Sequence, residues 1–224
     1  MTTVTENEQG HNGFVWVKRG VGLLILWLAL PWLLPNLWSG ALLTSEQFAW
    51  YVVRASGTVA YLTMTGSMLW GLLLSSKVIK DVVPPALSLA MHNTLSWIAL
   101  GLTVLHALAL LFDNYYTFTV GNLLIPFTGP YSPLWVGLGI IGFYLMLLTT
   151  LSFYVRKQIG QKNWRRLHYA TFGAYLLTTV HGLMAGTDAA LLGGMFGVSA
   201  FSVIFLTIYR ILAAATEGSA KRGR

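Results

Sequence analysis

Cysteine is absent from the 224 residues of this chain. Its absence excludes disulfides, thiolate metal ligands, iron–sulfur clusters and cysteine nucleophiles. Any metal that the protein binds must therefore be held by nitrogen, by oxygen or by the thioether of methionine.

Charged residues are also scarce. They make up 9% of the sequence, against roughly 25% in an ordinary soluble domain. Hydrophobic residues make up 55%, and the mean hydropathy is +0.64. This composition excludes an ordinary soluble domain and predicts an all-α integral membrane protein.

Motifs that bind phosphate groups are missing as well. Neither a GxGxxG turn that follows a strand nor a GxxxxGKS/T loop is present. The net charge of +7 comes from basic residues that are scattered among short connections and helix ends. Anionic lipid head groups of the bilayer are therefore the expected partners of these charges, and no nucleic-acid binding is expected.

Six apolar runs are long enough, at about 20 residues, to cross the hydrocarbon core as helices. They cover residues 14–35, 48–75, 86–112, 133–155, 165–187 and 192–214. The sequence thus predicts a bundle of six transmembrane helices over residues 14–214. A flexible cytoplasmic tail, residues 1–13, is expected before it, and a basic cytoplasmic tail, residues 215–224, after it.

Thirteen of the fourteen basic residues agree with one orientation of this bundle. They are Lys18, Arg19, Lys77, Lys80, Arg156, Lys157, Lys162, Arg165, Arg166, Arg210, Lys221, Arg222 and Arg224. The positive-inside rule makes their side of the membrane cytoplasmic, and both termini lie on that side. The exception is Arg54, near the outer start of the second span.

Four of the five histidines lie inside predicted spans. His92 and His106 are in the third span, and His168 and His181 are in the fifth, which runs in the same direction. Steps of fourteen and thirteen residues rise about 21 and 20 Å along a helix, so the side chains form two levels. His92 and His168 are called the inner pair here, and His106 and His181 the outer pair.

A histidine in hydrocarbon is costly unless it has a partner, and a planar iron macrocycle takes two axial imidazoles from opposite sides. The two levels therefore predict two haems, each bound by one pair. A lone intramembrane histidine more often hydrogen-bonds another helix or relays protons. A non-haem metal is the main rival, but zinc and iron catalytic sites usually include carboxylates, and the nearest are Asp113 and Asp188 at the outer boundary.

The rotation of the fifth helix sets a condition on this hypothesis. Fourteen residues leave a net rotation of about −40°, so His92 and His106 share a face, whereas thirteen leave about −140°. A straight helix would not align His168 with His181. We therefore expect a tightened turn or kink between residues 169 and 180, with Gly173 and its neighbouring threonines as the place for it.

The histidine spacing and the six spans resemble the ferric reductase-like transmembrane domain of ferric-chelate reductases and NADPH oxidases, over residues 20–212. Supporting segments are RASGTVAYLTMTGSMLWGLLLSS (54–76), LLIPF and PLWVGLG within 123–139, and NWRRLHY at the start of the fifth span. The resemblance implies two b-type haems, with His92 and His168 on the inner one and His106 and His181 on the outer one.

The resemblance also implies that Arg54 serves the outer haem propionates or an anionic acceptor, although an arginine there can equally extend to the membrane surface. Arg165 and Arg166 could serve the inner propionates, although topology alone also explains them. No catalytic side chain is expected. Only ATEGSAKRGR follows the sixth span, so the flavin and NADPH domains are expected to be absent and no flavin is expected in this chain. The electron donor is then a separate flavoprotein or a quinol.

The predicted function is that of an oxidoreductase electron-transfer subunit in a bacterial plasma membrane, which passes electrons from this donor to an acceptor at the outer face. Three alternatives remain. The chain could be the haem-binding membrane subunit of a periplasmic reductase such as methionine sulfoxide reductase, or a non-catalytic haem-bearing subunit of a larger complex. A transporter is the third, but no internal repeat supports it.

Overall fold

The computed structural model describes residues 47–76 and 83–222, and side chains up to residue 216. The chain divides into two compact units, Met1–Phe48 and Ala49–Arg224, and the second holds nearly all of the described residues. The predicted first span, the N-terminal tail and the residues Lys18, Arg19, Lys77, Lys80 and Arg224 lie outside the described part.

All regular structure in the described residues is helical. The helices are α1 (Phe48–Ser76), α2 (Pro85–Ala109), α3 (Val120–Leu124), α4 (Pro133–Ile159), α5 (Gln161–His168), α6 (Ala170–Ala185) and α7 (Ala189–Arg222). A 3-10 turn, Leu110–Phe112, extends α2. The short helix α3 lies within the predicted long outer loop, and α7 continues beyond residue 214, where the predicted sixth span ends.

Four of the described helical segments are long and apolar enough to cross a membrane. They are Phe48–Ser76, Pro85–Phe112, Pro133–Ile159 and Ala189–Thr216, which match the predicted second, third, fourth and sixth spans. Many of their large apolar side chains are exposed, as with Val198 and Phe201 on α7, which are 69% and 68% exposed. Helices with such surfaces can sit in a lipid bilayer.

Local sequence explains where these helices begin and end. Pro85 and Pro133 stand in the first turn of α2 and α4, where a missing backbone N–H costs nothing. Gly160, with φ at 81°, separates α4 from α5 in a left-handed conformation that disfavours other residues. Basic residues Arg156 and Lys157 occupy the last turn of α4, where they complement the helix dipole.

The predicted fifth span is not one helix. It is divided at Tyr169 into α5 and α6, and the longer piece, α6, has 16 residues. Beyond the break, the N–H of Phe172 donates to the carbonyl of Tyr169 at 3.1 Å, which is the tighter, three-residue pattern. The expected departure from a straight helix is therefore found, at the first residue of the expected interval. It is not at Gly173, which lies within α6.

The core of the bundle joins α1, α2, α4, α6 and α7. Its buried members are Tyr61, Met64, Leu72, Ala99, Leu100, Met146, Ala174, Tyr175, Phe196 and Val203. At its centre the hydroxyl of Tyr61 lies 3.0 Å from that of Tyr175 and 3.1 Å from Oγ1 of Thr179. Oγ1 of Thr65 lies 3.2 Å from the Tyr175 hydroxyl. These bonds connect α1 to α6 between the levels of the two histidine pairs.

Replacing Tyr61 with Phe is expected to lower the free energy of unfolding by about 1 kcal/mol, because the Tyr175 and Thr179 hydroxyls lose a shared partner in the core. The measurement is the thermal midpoint in detergent. Tyr209→Phe on α7 is the control, since the Tyr209 side chain is 45% exposed. Equal midpoints for the two variants would mean that the hydroxyl network adds no stability.

Candidate metal centre

The structure brings the four intramembrane histidines together as two pairs. The ring centres of His92 on α2 and His168 at the end of α5 lie 6.2 Å apart, with the rings at 77° to one another. Those of His106 on α2 and His181 on α6 lie 6.1 Å apart, at 79°. Each histidine thus faces the partner expected from its depth in the bundle.

These separations fit two imidazoles that bind one metal from opposite sides. A metal–imidazole nitrogen bond is about 2.0 Å long, and each nitrogen lies about 1.1 Å from its ring centre, which gives about 6.2 Å between ring centres. Aromatic rings in edge-to-face contact occupy the same range of distances. The hydrogen bonds of the ring nitrogens therefore have to distinguish a ligand pair from simple packing.

Three of the four rings donate a hydrogen bond from Nδ1 to a backbone carbonyl. His106 donates to Val53 at 2.8 Å, and His181 donates to Trp135 at 3.0 Å. His92 donates to Ser67 at 3.0 Å.

These bonds place the proton on Nδ1 and leave the lone pair of Nε2 free. Nε2 makes no hydrogen bond within the described residues in any of the four rings. A histidine that ligates a metal through Nε2 usually donates a hydrogen bond from Nδ1 to a carbonyl or carboxylate oxygen. His92, His106 and His181 therefore have the hydrogen bonding of histidines that would hold a metal through Nε2.

Glycines on neighbouring helices make room for the rings of the outer pair. A β-carbon added to Gly57 on α1 would lie 2.8 Å from Nδ1 of His106. One added to Gly139 on α4 would lie 2.8 Å from Cγ and Nδ1 of His181. Real side-chain contacts are longer than this, so each imidazole rests directly on a helix backbone where no side chain intervenes.

The inner pair has one such contact. A β-carbon added to Gly71 on α1 would lie 3.1 Å from Cε1 of His92. In all three cases the accepting carbonyl is four residues before the glycine: Val53 and Gly57, Ser67 and Gly71, Trp135 and Gly139. That carbonyl also accepts the helical N–H of the glycine, and its second lone pair takes the imidazole.

The sequence alone did not predict that glycines, and carbonyls four residues before them, would contact the histidine rings. Gly57 and Gly71 are fourteen residues apart, the same step that separates His106 from His92 on the neighbouring helix. Gly137, Gly139 and Gly142 even spell GxGxxG, but they lie inside the membrane helix α4 and not after a strand. The matching step was the signal that could have revealed the first two glycines.

His168 differs from the other three. Its Nδ1 is buried without a hydrogen-bond partner, as is Nε1 of Trp164, and these are the two such side-chain atoms in the described part of the chain. The His168 ring stacks on the Trp164 ring, with centres 5.1 Å apart and planes at 24°. The inner pair is therefore fixed on one side by a carbonyl and on the other by ring stacking alone.

The histidines of each pair meet across a separation between helices. The backbones of α4 and α6 pack closely along their length, whereas those of α2 and α6 approach one another far less. Side chains from α2 and α6 therefore span a gap in the outer pair. This is the arrangement that a group placed between the two rings requires.

The predicted arginines have different surroundings. Arg54 forms an ion pair with Asp188, and its guanidinium lies 3.8 Å from the ring centre of Trp50. The residue before it, Val53, accepts the hydrogen bond from His106, which places Arg54 at the level of the outer pair. The expectation that Arg54 serves haem propionates must therefore include Asp188, a competing partner that the sequence did not reveal.

Arg165 and Arg166 are exposed on α5. With Gln161 and Lys162 they line an open pocket of about 410 Å³, and neither arginine forms an ion pair with any described acid. They precede His168 by two and three residues, so they lie beside the inner pair. Their charges are available to an anionic group there.

No cluster of three or more histidine, cysteine, aspartate or glutamate side chains occurs among the described residues. Structural zinc sites use four such ligands and catalytic zinc sites use three. The described residues therefore hold no donor cluster of the size that a zinc site needs.

No protein-family model, curated protein or solved structure matches this chain. The resemblance to the ferric reductase-like domain therefore remains a prediction from the spacing of the histidines.

Proposed function

We propose that this protein is a di-haem b cytochrome that moves electrons across a bacterial plasma membrane through a six-helix bundle with cytoplasmic termini. The observation that carries the proposal is the geometry of the two histidine pairs: ring centres 6.1 and 6.2 Å apart, with three of the four Nδ1 atoms bound to backbone carbonyls. Simple packing would explain the distances but not the shared orientation of three rings, whose Nδ1 atoms are all bonded to backbone carbonyls.

The residues divide the work in a direct way. His92 and His168 would hold the inner haem, and His106 and His181 the outer one. When bound, each haem supplies an iron that takes up and releases single electrons. The carbonyls of Ser67, Val53 and Trp135 orient three ligands and raise their basicity.

Other residues would control charge and water around the haems. The core between the two levels, with Tyr61, Met64 and Phe196, excludes water from the space between them. Arg165 and Arg166 would neutralise carboxylates of the inner haem at the membrane surface.

The proposed donor is a separate flavoprotein or a quinol at the inner face. The proposed acceptor at the outer face is a ferric chelate, oxygen or a redox protein. With the two pairs about 20 Å apart in depth, one electron would pass from the inner to the outer level before it leaves the protein.

The experiment uses the purified chain in lipid vesicles that enclose ascorbate, with a membrane-impermeant ferric chelate outside. We expect reduction of both haems and formation of external ferrous iron. His181→Ala should stop formation of external ferrous iron while the remaining haem is still reduced from within. Formation of external ferrous iron at the same rate in this variant would contradict the proposal. It would also be contradicted if neither ascorbate nor a quinol, used as a second donor, reduced the haems.

A second candidate is supported by the missing hydrogen bond at His168. If only the outer pair retains its haem, the chain would fit the haem-binding membrane subunit of a periplasmic reductase such as methionine sulfoxide reductase. The haem content of the purified chain distinguishes the two candidates. Two haems favour the di-haem cytochrome, and one favours this alternative.

Asp188→Asn is expected to increase the rate of electron transfer to an anionic acceptor such as ferric citrate by about 2- to 10-fold at low salt. The substitution releases the Arg54 guanidinium beside the outer pair, and an unpaired charge attracts anions until salt screens it. Steady-state rates at about 20 mM and 500 mM salt measure the effect, and Arg54→Gln should slow the same reaction.

The matched control is Asp113→Asn, which removes the same charge from the outer loop. Oδ1 of Asp113 accepts hydrogen bonds from the N–H groups of Tyr115 and Tyr116, and asparagine keeps this acceptor. A similar acceleration in both variants would assign the effect to net charge and not to Arg54.

A further inference from the structure

The structure assigns unequal roles to the two inner ligands: we infer that His92 is the fixed ligand and His168 the displaceable one. Displacement of His168 would open the inner haem to a small neutral ligand with a donor lone pair, such as carbon monoxide or imidazole. The inference rests on the proposed di-haem function and adds to it a ligand-binding site on one haem only.

Nδ1 of His168 has no hydrogen-bond acceptor among the described residues. When Nε2 binds a metal, Nδ1 carries the proton, and in this residue that N–H is buried without a partner. The bound position therefore leaves a buried donor unpaired, and a ring that swings toward water recovers its hydration. Loss of the hydrogen bond from Nδ1 of a ligating histidine typically weakens metal binding by about 10- to 100-fold.

His168 also lies at the end of a helix. It is the last residue of α5, with Tyr169 separating it from α6, while His92, His106 and His181 lie within continuous helices. At its other end α5 begins after Gly160, whose φ of 81° marks a tight turn. The ligand therefore sits at the end of an eight-residue helix, next to Tyr169, where the helical hydrogen bonding of the predicted fifth span is interrupted, and a change in the backbone there would move it independently of α6.

The packing of the His168 ring also differs from that of the other three rings. The other three rings rest on glycines of α1 or α4, helices that are separate in the fold from their own. His168 stacks on Trp164, which belongs to the same short helix. The positions on α4 that lie thirteen and fourteen residues beyond Gly139 are Ser152 and Phe153, so no glycine repeats there. Movement of α5 would carry Trp164 with the ring, and it would have to break the edge contact between Trp164 and Phe153 on α4, whose ring centres lie 6.3 Å apart.

The test is carbon monoxide binding to the dithionite-reduced protein, followed by the Soret band. We expect about half of the haem in the wild-type chain to bind, and all of the haem in His106→Ala, where the outer haem is lost. A wild-type chain with two haems, neither of which binds carbon monoxide, would overturn this inference and leave the proposed function intact. A chain without haem would overturn the proposed function itself.

A pair of variants gives a second readout. When imidazole is present during purification, His168→Ala should retain the inner haem, because imidazole would take the place of the displaceable ligand while His92 keeps its fixed position. His92→Ala should lose the inner haem, because its remaining ligand has no fixed position. Equal haem loss in the two variants would show that His92 and His168 hold the inner haem equally well. Carbon monoxide binding to the one haem left in His92→Ala would also contradict the inference.

Discussion

His181→Ala is expected to halve the haem content of the purified protein, from about two to about one per chain. The Nδ1 atom of His181 is fixed by Trp135, so its Nε2 is held opposite His106, and no other described histidine lies at this level. Alanine removes the ligand, and the remaining imidazole alone cannot complete a six-coordinate site. The inner haem should stay, because its ligands lie about 20 Å away in depth.

Haem per polypeptide, measured as the pyridine haemochromogen, is the readout. His11→Ala is the matched control, since that histidine lies outside the predicted spans and outside the described residues. Loss of both haems in His181→Ala would mean that the two sites do not fill independently. An unchanged haem content would remove His181 from the set of ligands.

Gly57→Ala and Gly139→Ala are each expected to cause the same loss of the outer haem without removing any ligand. The added methyl carbon would lie 2.8 Å from the imidazole of His106 or His181, which forces the ring to shift. A metal site tolerates a displacement of about 0.5 Å before its geometry fails. Gly71→Ala, with a closest approach of 3.1 Å to His92, should have a smaller effect, confined to the inner haem.

Alanine stabilises a helix interior by about 1 kcal/mol relative to glycine, so haem loss in these variants cannot be attributed to a weaker helix. Gly66→Ala on α1 is the control, because its β-carbon would lie 4.0 Å from the nearest atom, on Leu95. The expected order of haem loss is Gly57 and Gly139, then Gly71, then Gly66. Equal haem content in all four variants would show that the glycines do not position the rings.

The depth of each histidine could be predicted from the sequence, because rise per residue in a helix is nearly constant. Fourteen- and thirteen-residue steps on two spans of the same direction were sufficient to predict the two pairs. The rotation of His168 relative to His181 also required a break in the helix. The break is present at Tyr169, although the sequence pointed to Gly173 as its site.

The acceptors of the histidine hydrogen bonds could not be predicted in the same way. They are backbone carbonyls of Val53, Ser67 and Trp135, and backbone atoms have no signature in the sequence. Their choice depends on how neighbouring helices rotate against α2 and α6. The glycines that permit the contact are visible, but the chain contains 23 of them, and most of those in the described residues have other or no close neighbours.

Two further features depend on tertiary contacts. The pairing of Arg54 with Asp188 joins residues that are far apart in the sequence, so charge and depth alone did not reveal it. The unpaired Nδ1 of His168 is likewise a property of what surrounds the ring. The sequence predicted the pairing of His168 with His92, whereas the difference in hydrogen bonding between their rings is visible only in the structure.

The haem content of the wild-type chain decides whether the two histidine pairs bind haem. The protein should be purified in detergent from cells supplied with iron and a haem precursor, and its pyridine haemochromogen spectrum compared with its protein concentration. We expect about two b-type haems per polypeptide, with the low-spin spectrum of bis-histidine ligation. A folded, monodisperse chain that carries no haem would contradict it.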